Sequence, residues 1–252
     1  MSIGLTLAMD GSTYAGSVAL IRDREIIAAR ELADEAKPGR AGREEHFMPM
    51  VVDCLRDGQV EARDIDRVVC GAGPGSFTSL RVAASIAKGI AVGIDRPLFS
   101  VPSLMLIVAA GKAPDGRWLA ALPAMRDEAF VQLFDIESAV IRENGPPRII
   151  ALSGLHDEAR RLDAGTMGPI RKGGQYPHAR GVANVIEVVL SAGPCEIDTW
   201  EPVYGRLAEA QVRWEAAHGR PLSPTCSCST ARERSASGMR RLRFGPRARA
   251  TF

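Results

Sequence analysis

Short apolar runs and helical repeats alternate along the first 110 residues. Apolar runs bounded by turn residues predict strands, and apolar or small residues at a spacing of three to four predict helices. Two turn signals, Asp10-Gly11-Ser12 and Asp23-Arg24, separate the first three runs into a meander. The pattern predicts strands at 3–9, 16–21, 25–29, 66–71 and 97–101, and helices at 43–56, 77–92 and 102–110.

A second series of strands and helices follows a stretch rich in Gly, Pro and Lys at 111–117. Strands followed by helices, twice over, predict an α/β fold with mixed sheets in two lobes. We therefore place an N-terminal lobe at 1–110, a C-terminal lobe at 111–222 and a tail at 223–252. Within the second lobe the pattern predicts strands at 118–122, 129–136 and 139–143, helices at 154–162 and 179–190, and a last amphipathic segment at 204–218.

Two of the predicted helices carry more apolar or small residues than one buried face requires. The helix at 43–56 is apolar around much of its circumference, and the helix at 77–92 repeats alanine at positions that allow another helix to approach closely. We predict that both contribute to a surface for a partner protein. The alternative is that these side chains face their own sheet, which we expect of Val52 and Leu80. The predicted surface consists of Phe47, Met48, Val51, Leu55, Ala83, Ala84, Ala87 and Ala91.

Composition favours a folded protein, with 46% hydrophobic and 25% charged residues. No basic leader precedes an apolar segment, and no run approaches the roughly 20 apolar residues that span a bilayer. We therefore expect a cytoplasmic protein that makes no membrane contact. The five cysteines form no Cys-x-x-Cys pair, and Cys54 and Cys70 lie in apolar runs. Reduced thiols and no zinc are expected.

Charge is distributed unevenly along the chain. Residues 229–252 carry seven arginines against one acid, so the remainder is acidic although the whole chain has a formal charge of +2. An acidic body argues against a broad RNA-binding surface, because Lys and Arg contacts to phosphate supply most non-specific affinity. The tail itself has the composition of a disordered segment, with an RNA contact as the alternative.

Two loops are candidates for phosphate binding. Residues 73–81 join a strand to a helix, so their backbone N–H groups can converge at a helix N-terminus. Asp10-Gly11-Ser12 ends the first strand, like the turn that approaches phosphates in actin-like ATPases and sugar kinases. The alternatives are a turn whose Ser76 caps the helix and an ordinary hairpin turn. The candidate phosphate-loop residues are Asp10, Gly11, Ser12, Gly73, Gly75 and Ser76.

Motifs for independent catalysis are missing from the sequence. The four histidines include no pair at i and i+4, so no helical metal site is predicted. The loop at 73–81 lacks the Gly-Lys-Ser/Thr of a P-loop, the third glycine of a dinucleotide-binding turn and the Gly-x-Ser-x-Gly of a hydrolase. We predict no catalytic residue and no metal site in this chain.

Four segments together resemble the TsaB (YeaZ) family. The resemblance spans residues 1–222, and the tail has no counterpart in it. Gly11 stands where the family has threonine, and Ser79 where it has glycine. Residues 7–13 are similar to the family opening L-A-I-D-T-S-T, residues 45–50 to H-S-x-x-L-L-P-M-I, residues 73–81 to G-P-G-S-F-T-G-L-R and residues 204–210 to Y-x-R-x-x-E-A.

This resemblance implies an actin-like, RNase H-like two-lobe fold and a non-catalytic role in making threonylcarbamoyladenosine in transfer RNA. The implied partners are a metal-dependent TsaD-like threonylcarbamoyl transferase, a TsaE-like ATPase and, through the complex, tRNA. Where the catalytic relative has two metal-binding histidines, this chain has Ser103 and Ile107. We expect no cofactor, with ATP or ADP possible only in the assembled complex, and we expect the predicted helix surface to pair two copies when the chain is alone. Two rivals stay open: an autonomous actin-like ATPase or sugar-kinase-type enzyme, and a glycoprotease-like peptidase.

Overall fold

Five strands between residues 5 and 101 form a mixed sheet in the order β3-β2-β1-β4-β5. A computed structural model describes residues 3–14, 16–31, 47–205 and 217–219. Strands β1, β2 and β3 form an antiparallel meander, and β4 and β5 extend the sheet in parallel from the other side of β1. Their bounds are Leu5–Asp10, Ser17–Arg22, Glu25–Glu31, Arg67–Gly71 and Leu98–Val101.

Two helices, α1 (Phe47–Asp57) and α2 (Phe77–Gly93), cover one face of this sheet. Alternation along β1 decides which side chains they contact, because successive residues of a strand point to opposite faces. Leu7 and Met9 pack in the cluster that contains the buried residues of α1 and α2, whereas Ala8 belongs to the cluster on the other face.

The opposite face packs on α3 (Ser103–Ala110) and α5 (Val182–Ser191), which lie between the two sheets. All eight residues of α3 are buried. A helix that is apolar around its whole circumference is expected to be enclosed on all sides, and α3 packs on two strands of the second sheet and on α5. The predicted lobe boundary at residue 110 therefore falls at the end of a helix that both sheets share.

The second sheet has the order β8-β7-β6-β9, antiparallel except for the β6–β9 pair. Helix α4 (Leu155–Arg161) contributes buried residues to the hydrophobic cluster on the outer face of this second sheet. The layers run from α1 and α2 through the first sheet, α3 and α5, and the second sheet to α4. The strands are β6 (Gly116–Pro123), β7 (Glu128–Glu137), β8 (Val140–Ala151) and β9 (Gly165–Met167).

The structure confirms the predicted α/β class and most predicted elements, with two differences in the second sheet. β8 continues to Ala151 through Pro146 and Pro147, which an edge strand tolerates because one side of its backbone makes no ladder bonds. The three-residue strand β9 was not predicted. Parts of the predicted helix at 43–56 and of the segment at 204–218 lie outside the described residues. Within the described ranges no helix has the length and apolar content needed to cross a bilayer.

Candidate functional site

Asp10 is the centre of the candidate phosphate site, and it is fully buried. Its Oδ1 accepts hydrogen bonds from the Ser12 backbone N–H (3.1 Å) and the Ser12 hydroxyl (2.6 Å). Its Oδ2 accepts one from the hydroxyl of Ser103 (2.5 Å), the first residue of α3. Burial raises the pKa of Asp10, and the three hydrogen bonds oppose this shift. The carboxylate is therefore engaged by groups of its own chain.

Ser103 extends this network to the second candidate loop. Its hydroxyl accepts a hydrogen bond from the Gly73 N–H (3.0 Å), and its own N–H donates to the Gly73 carbonyl (2.9 Å). A β-carbon on Gly71 would lie 2.0 Å from Asp10 Oδ2, so only glycine fits at the end of β4. One serine on α3 thus joins the ends of β1 and β4.

The two candidate loops also contact each other directly. The N–H of Ser76 donates to the carbonyl of Ser12 at 2.7 Å. A β-carbon on Gly75 would lie 2.1 Å from that same carbonyl oxygen, which shows how closely the backbones approach. The structure therefore brings the predicted residues together, and the Ser12 carbonyl accepts the hydrogen bond of the Ser76 N–H, one of the donors that the loop offers.

Gly11 and Ser79, the two residues that depart from the family pattern, lie next to each other. A β-carbon on Gly11 would be 2.5 Å from the carbonyl oxygen of Ser79 and 2.8 Å from the β-carbon of Ala83. A threonine at position 11 would force α2 away from the turn, so Gly11 allows the first turn of α2 to close onto the end of β1. Ser79 is itself buried and accepts a hydrogen bond from the Ser76 hydroxyl (3.2 Å).

Ser76 stands at the N-cap position of α2, as the alternative interpretation predicts, but its side chain makes no capping hydrogen bond. The hydroxyl points to Ser79 instead of to the free amides of the first turn. The loop is therefore fixed by its contacts to Ser12 and Ser103, not by a serine cap.

On α1, the structure corrects the predicted role of two side chains. Phe47 and Val51 are buried against the first sheet, because β2 and β3 run beneath this helix. Leu55 is partly buried and packs against the same cluster. Met48 and Val52 are the exposed members, at 44% and 47% of their surface. Val52, which we expected in the core, therefore faces outward.

On α2, all four predicted alanines are buried in their own lobe. Ala83, Ala84, Ala87 and Ala91 pack over the sheet, and Leu80 is buried as expected. Their small size allows α2 to pack closely on β4 and β1. The outer face of α2 carries different residues: Arg81, Ser85 and Val92, the last 63% exposed.

A cluster at the start of α2 was missed by the sequence analysis. The guanidinium of Arg81 lies 4.5 Å from the ring centre of Phe77 and donates from Nε to the hydroxyl of Tyr204 (3.1 Å). The rings of Phe77 and Tyr204 are 4.4 Å apart. Arg81 and Tyr204 lie in two segments that resemble the family, residues 73–81 and 204–210, and this common resemblance is the sequence signal that could have linked them. The contact fixes the segment after α5 against α2.

Three cysteines and His178 lie within the described part of the chain and can be compared with the site. Cys54, Cys70 and Cys195 are free thiols, as predicted for these three. Burial raises the pKa of Cys54 to about 11, and that of Cys70 is also raised, so neither is a thiolate near neutral pH. His178 is buried, and burial lowers its pKa to about 4. Among the described residues no group of three or more His, Cys, Asp or Glu side chains is placed to hold a metal.

The mixed five-stranded sheet, its flanking helices and the loop pair at the ends of β1 and β4 define an actin-like, RNase H-like two-lobe protein. Two solved structures share the fold. YeaZ from Pseudomonas aeruginosa matches with a TM-score of 0.65 and 21% identity over 80% of this chain and 100% of that one. A Pseudomonas aeruginosa protein described as similar to peptidase YEAZ gives a TM-score of 0.67 and 21% identity over 81% of this chain and 100% of its own.

Sequence comparisons find similar proteins in bacteria. Residues 37–155 match the family described as "TsaD: tRNA N6-adenosine threonylcarbamoyltransferase". The tRNA threonylcarbamoyladenosine biosynthesis protein TsaB of Bacillus subtilis is 27% identical over 82% of this chain and 96% of its own length. The protein of that name from Escherichia coli is 36% identical over 49% of this chain and 52% of its own. By sequence and by fold, the chain is similar to proteins of the TsaB (YeaZ) family.

Proposed function

We propose that this chain is a non-catalytic subunit of the cytoplasmic machinery that makes threonylcarbamoyladenosine in tRNA. It binds a TsaD-like threonylcarbamoyl transferase and supports transfer to the adenosine next to the anticodon. A TsaE-like ATPase completes the complex, and the chain meets tRNA only through its partners. The names of the TsaB relatives support the pathway.

The non-catalytic role is supported by two residues of α3, Ser103 and Ile107, which have structural contacts. The stretch that resembles the metal-binding segment of the catalytic relative has Ser103 and Ile107 in place of its histidines. Ser103 is engaged with Asp10 and Gly73, and Ile107 is buried in the core between the sheets. These positions hold the fold together and offer no ligand to a metal.

The closed loops support the same conclusion for nucleotides. The Ser12 carbonyl already accepts the hydrogen bond from Ser76 N–H that an anion would otherwise receive. Asp10 is buried, and both of its carboxylate oxygens accept hydrogen bonds from serine hydroxyls, which leaves no room beside it for a hydrated magnesium ion. On this proposal ATP or ADP is bound only in the assembled complex.

Exposed apolar residues on α1 and α2 support a partner surface. Met48, Val52 and Val92 expose 44%, 47% and 63% of their surface, and their helices cover the same face of the first sheet. Covering such residues is favourable, and a specific interface buries roughly 1,600 Å² in total. When the partner is absent, the same surface would pair two copies of this chain.

The test is a pull-down from a mixture of this chain and the TsaD-type transferase of the same genome, beside assays of the purified chain for ATP hydrolysis and peptide cleavage. The proposal predicts a stoichiometric complex and neither hydrolytic activity. Steady ATP turnover that Asp10→Asn abolishes would favour the autonomous ATPase. Peptide cleavage by the chain alone would favour the peptidase.

A further inference from the structure

A groove of about 290 Å³ runs along the outer side of α2. Ala84 and Ser85 on the helix line it, and its other wall is formed by residues of the segment that follows α5, among them Glu201 and Tyr204. Trp200 and Pro202 from that segment line it. None of the predicted phosphate-loop residues lines it, so the groove is separate from the loops at the ends of β1 and β4.

The far wall of the groove is held in place at both ends. The N–H of Cys195 donates to the Leu98 carbonyl and the N–H of Val203 donates to the Ala72 carbonyl, each at 2.7 Å. Between these points Trp200 packs against the cluster beneath α2. The groove is therefore formed before any partner arrives, which lowers the entropic cost of binding.

Two cations lie along the groove, and each is held by an aromatic ring. Arg81 lies over Phe77, and the Lys88 ammonium lies 5.9 Å from the ring centre of Trp200. Seven residues along a helix correspond to about 10.5 Å, so the two charges mark its length. Glu201 is the one acid among the lining residues, which leaves an excess of positive charge.

The same strip of α2 continues into the exposed apolar surface. Arg81, Ser85, Lys88 and Val92 follow one another at helical spacing and share one side of the helix. Val92 is 63% exposed at the far end of this strip. A partner that covers Val92 would therefore lie over Lys88 as well.

We infer that this groove receives an acidic side chain, Asp or Glu, from the TsaD-like partner. The inference rests on the proposed function and adds the chemistry by which the partner is recognised. A carboxylate matches the positive excess, and Ala84 and Ser85 leave room for a protruding side chain. The arginine-rich tail of this chain has the wrong charge to occupy the groove. An RNA phosphate is disfavoured by the acidic body of the protein, which offers no broad basic surface for the rest of the nucleic acid.

The experiment measures the Kd between the full chain and the TsaD-type transferase of the same genome, at 50 and 300 mM salt. Lys88→Glu places a like charge opposite the carboxylate and should weaken binding at least tenfold at low salt. Lys172→Glu makes the same charge change at an exposed lysine in the second lobe and should stay within twofold of wild type. The Kd of Lys88→Glu should also depend less on salt than that of the wild type, because the attraction that salt screens has been removed.

A second variant keeps the test independent of folding defects. Glu201→Lys adds positive charge at an exposed position and should tighten binding several-fold at low salt. Wild-type affinity for both variants, with unchanged circular dichroism, would overturn the groove while leaving the partner proposal intact. Absence of any wild-type complex would instead overturn the proposed function. Weaker retention of tRNA by Lys88→Glu, with unchanged partner affinity, would reassign the groove to RNA and overturn the inference.

Discussion

Removing the Ser103 hydroxyl tests whether the loop pair is a structural clamp. Ser103 is buried, and its hydroxyl serves both Asp10 Oδ2 and the Gly73 N–H. Ser103→Ala leaves one buried acceptor and one buried donor without that partner, at about 1–3 kcal/mol each. We expect a loss of about 4 kcal/mol in the free energy of unfolding, out of a total of about 5–15 kcal/mol for a folded domain.

Urea denaturation followed by circular dichroism measures this loss, and thermal melting gives a second estimate. At about 2–4 °C per kcal/mol for a chain of this size, the melting temperature should fall by about 8–16 °C. Ser85→Ala is the matched control, because Ser85 is exposed on α2 and its loss should cost less than about 0.5 kcal/mol. A loss below about 1 kcal/mol for Ser103→Ala would show that the hydroxyl does not join the two loops and would refute the clamp.

Three further predictions concern packing, pH and the helix surface. Gly75→Ala should destabilise the protein by about 1–3 kcal/mol in a urea titration, because the added β-carbon meets the Ser12 backbone. Gly89→Ala, whose β-carbon meets nothing within 4 Å, should stabilise it by about 0.5–1 kcal/mol, and equal effects of the two changes would contradict the close approach at Gly75. The pKa of His178 is about 4 in the folded protein and 6.5 in the unfolded chain, so the free energy of unfolding should fall by about 3 kcal/mol as the pH drops from 6.5 to below 4. His178→Gln should flatten this pH dependence of stability, and an unchanged slope in the variant would refute the role of His178. Val51→Arg should unfold the chain because Val51 is buried, and a folded Val51→Arg protein would contradict that burial. Met48→Glu, at an exposed position of the same helix, should change the melting temperature by no more than a degree or two and should lose the partner in a pull-down.

Much of the fold could be predicted because its elements have strong local signals. Helix α3 follows Pro102 and is apolar throughout, and α2 begins just after a glycine-rich turn, so both were placed close to their observed bounds. The length of β8 was missed because Pro146 and Pro147 are poor strand residues, and only its position at a sheet edge makes them acceptable.

Burial within a helix was harder to predict than the helix itself. The pattern of α1 shows that it has more than one apolar side, but not which side lies on β2 and β3. Phe47 and Val51 therefore appeared as surface candidates, and Val52 as core. Contacts between distant segments had no local signal: Arg81 and Tyr204 are 123 residues apart, and only their place in two family-like segments connected them.

The most direct test of the proposed role is a reconstituted transfer assay on unmodified tRNA, with the threonylcarbamoyl donor, the TsaD-type transferase and the TsaE-type ATPase of the same genome. The account predicts threonylcarbamoyladenosine only when this chain and the transferase are both present, and none with this chain alone. Modification at full rate without this chain, or by this chain without the transferase, would contradict a non-catalytic partner subunit.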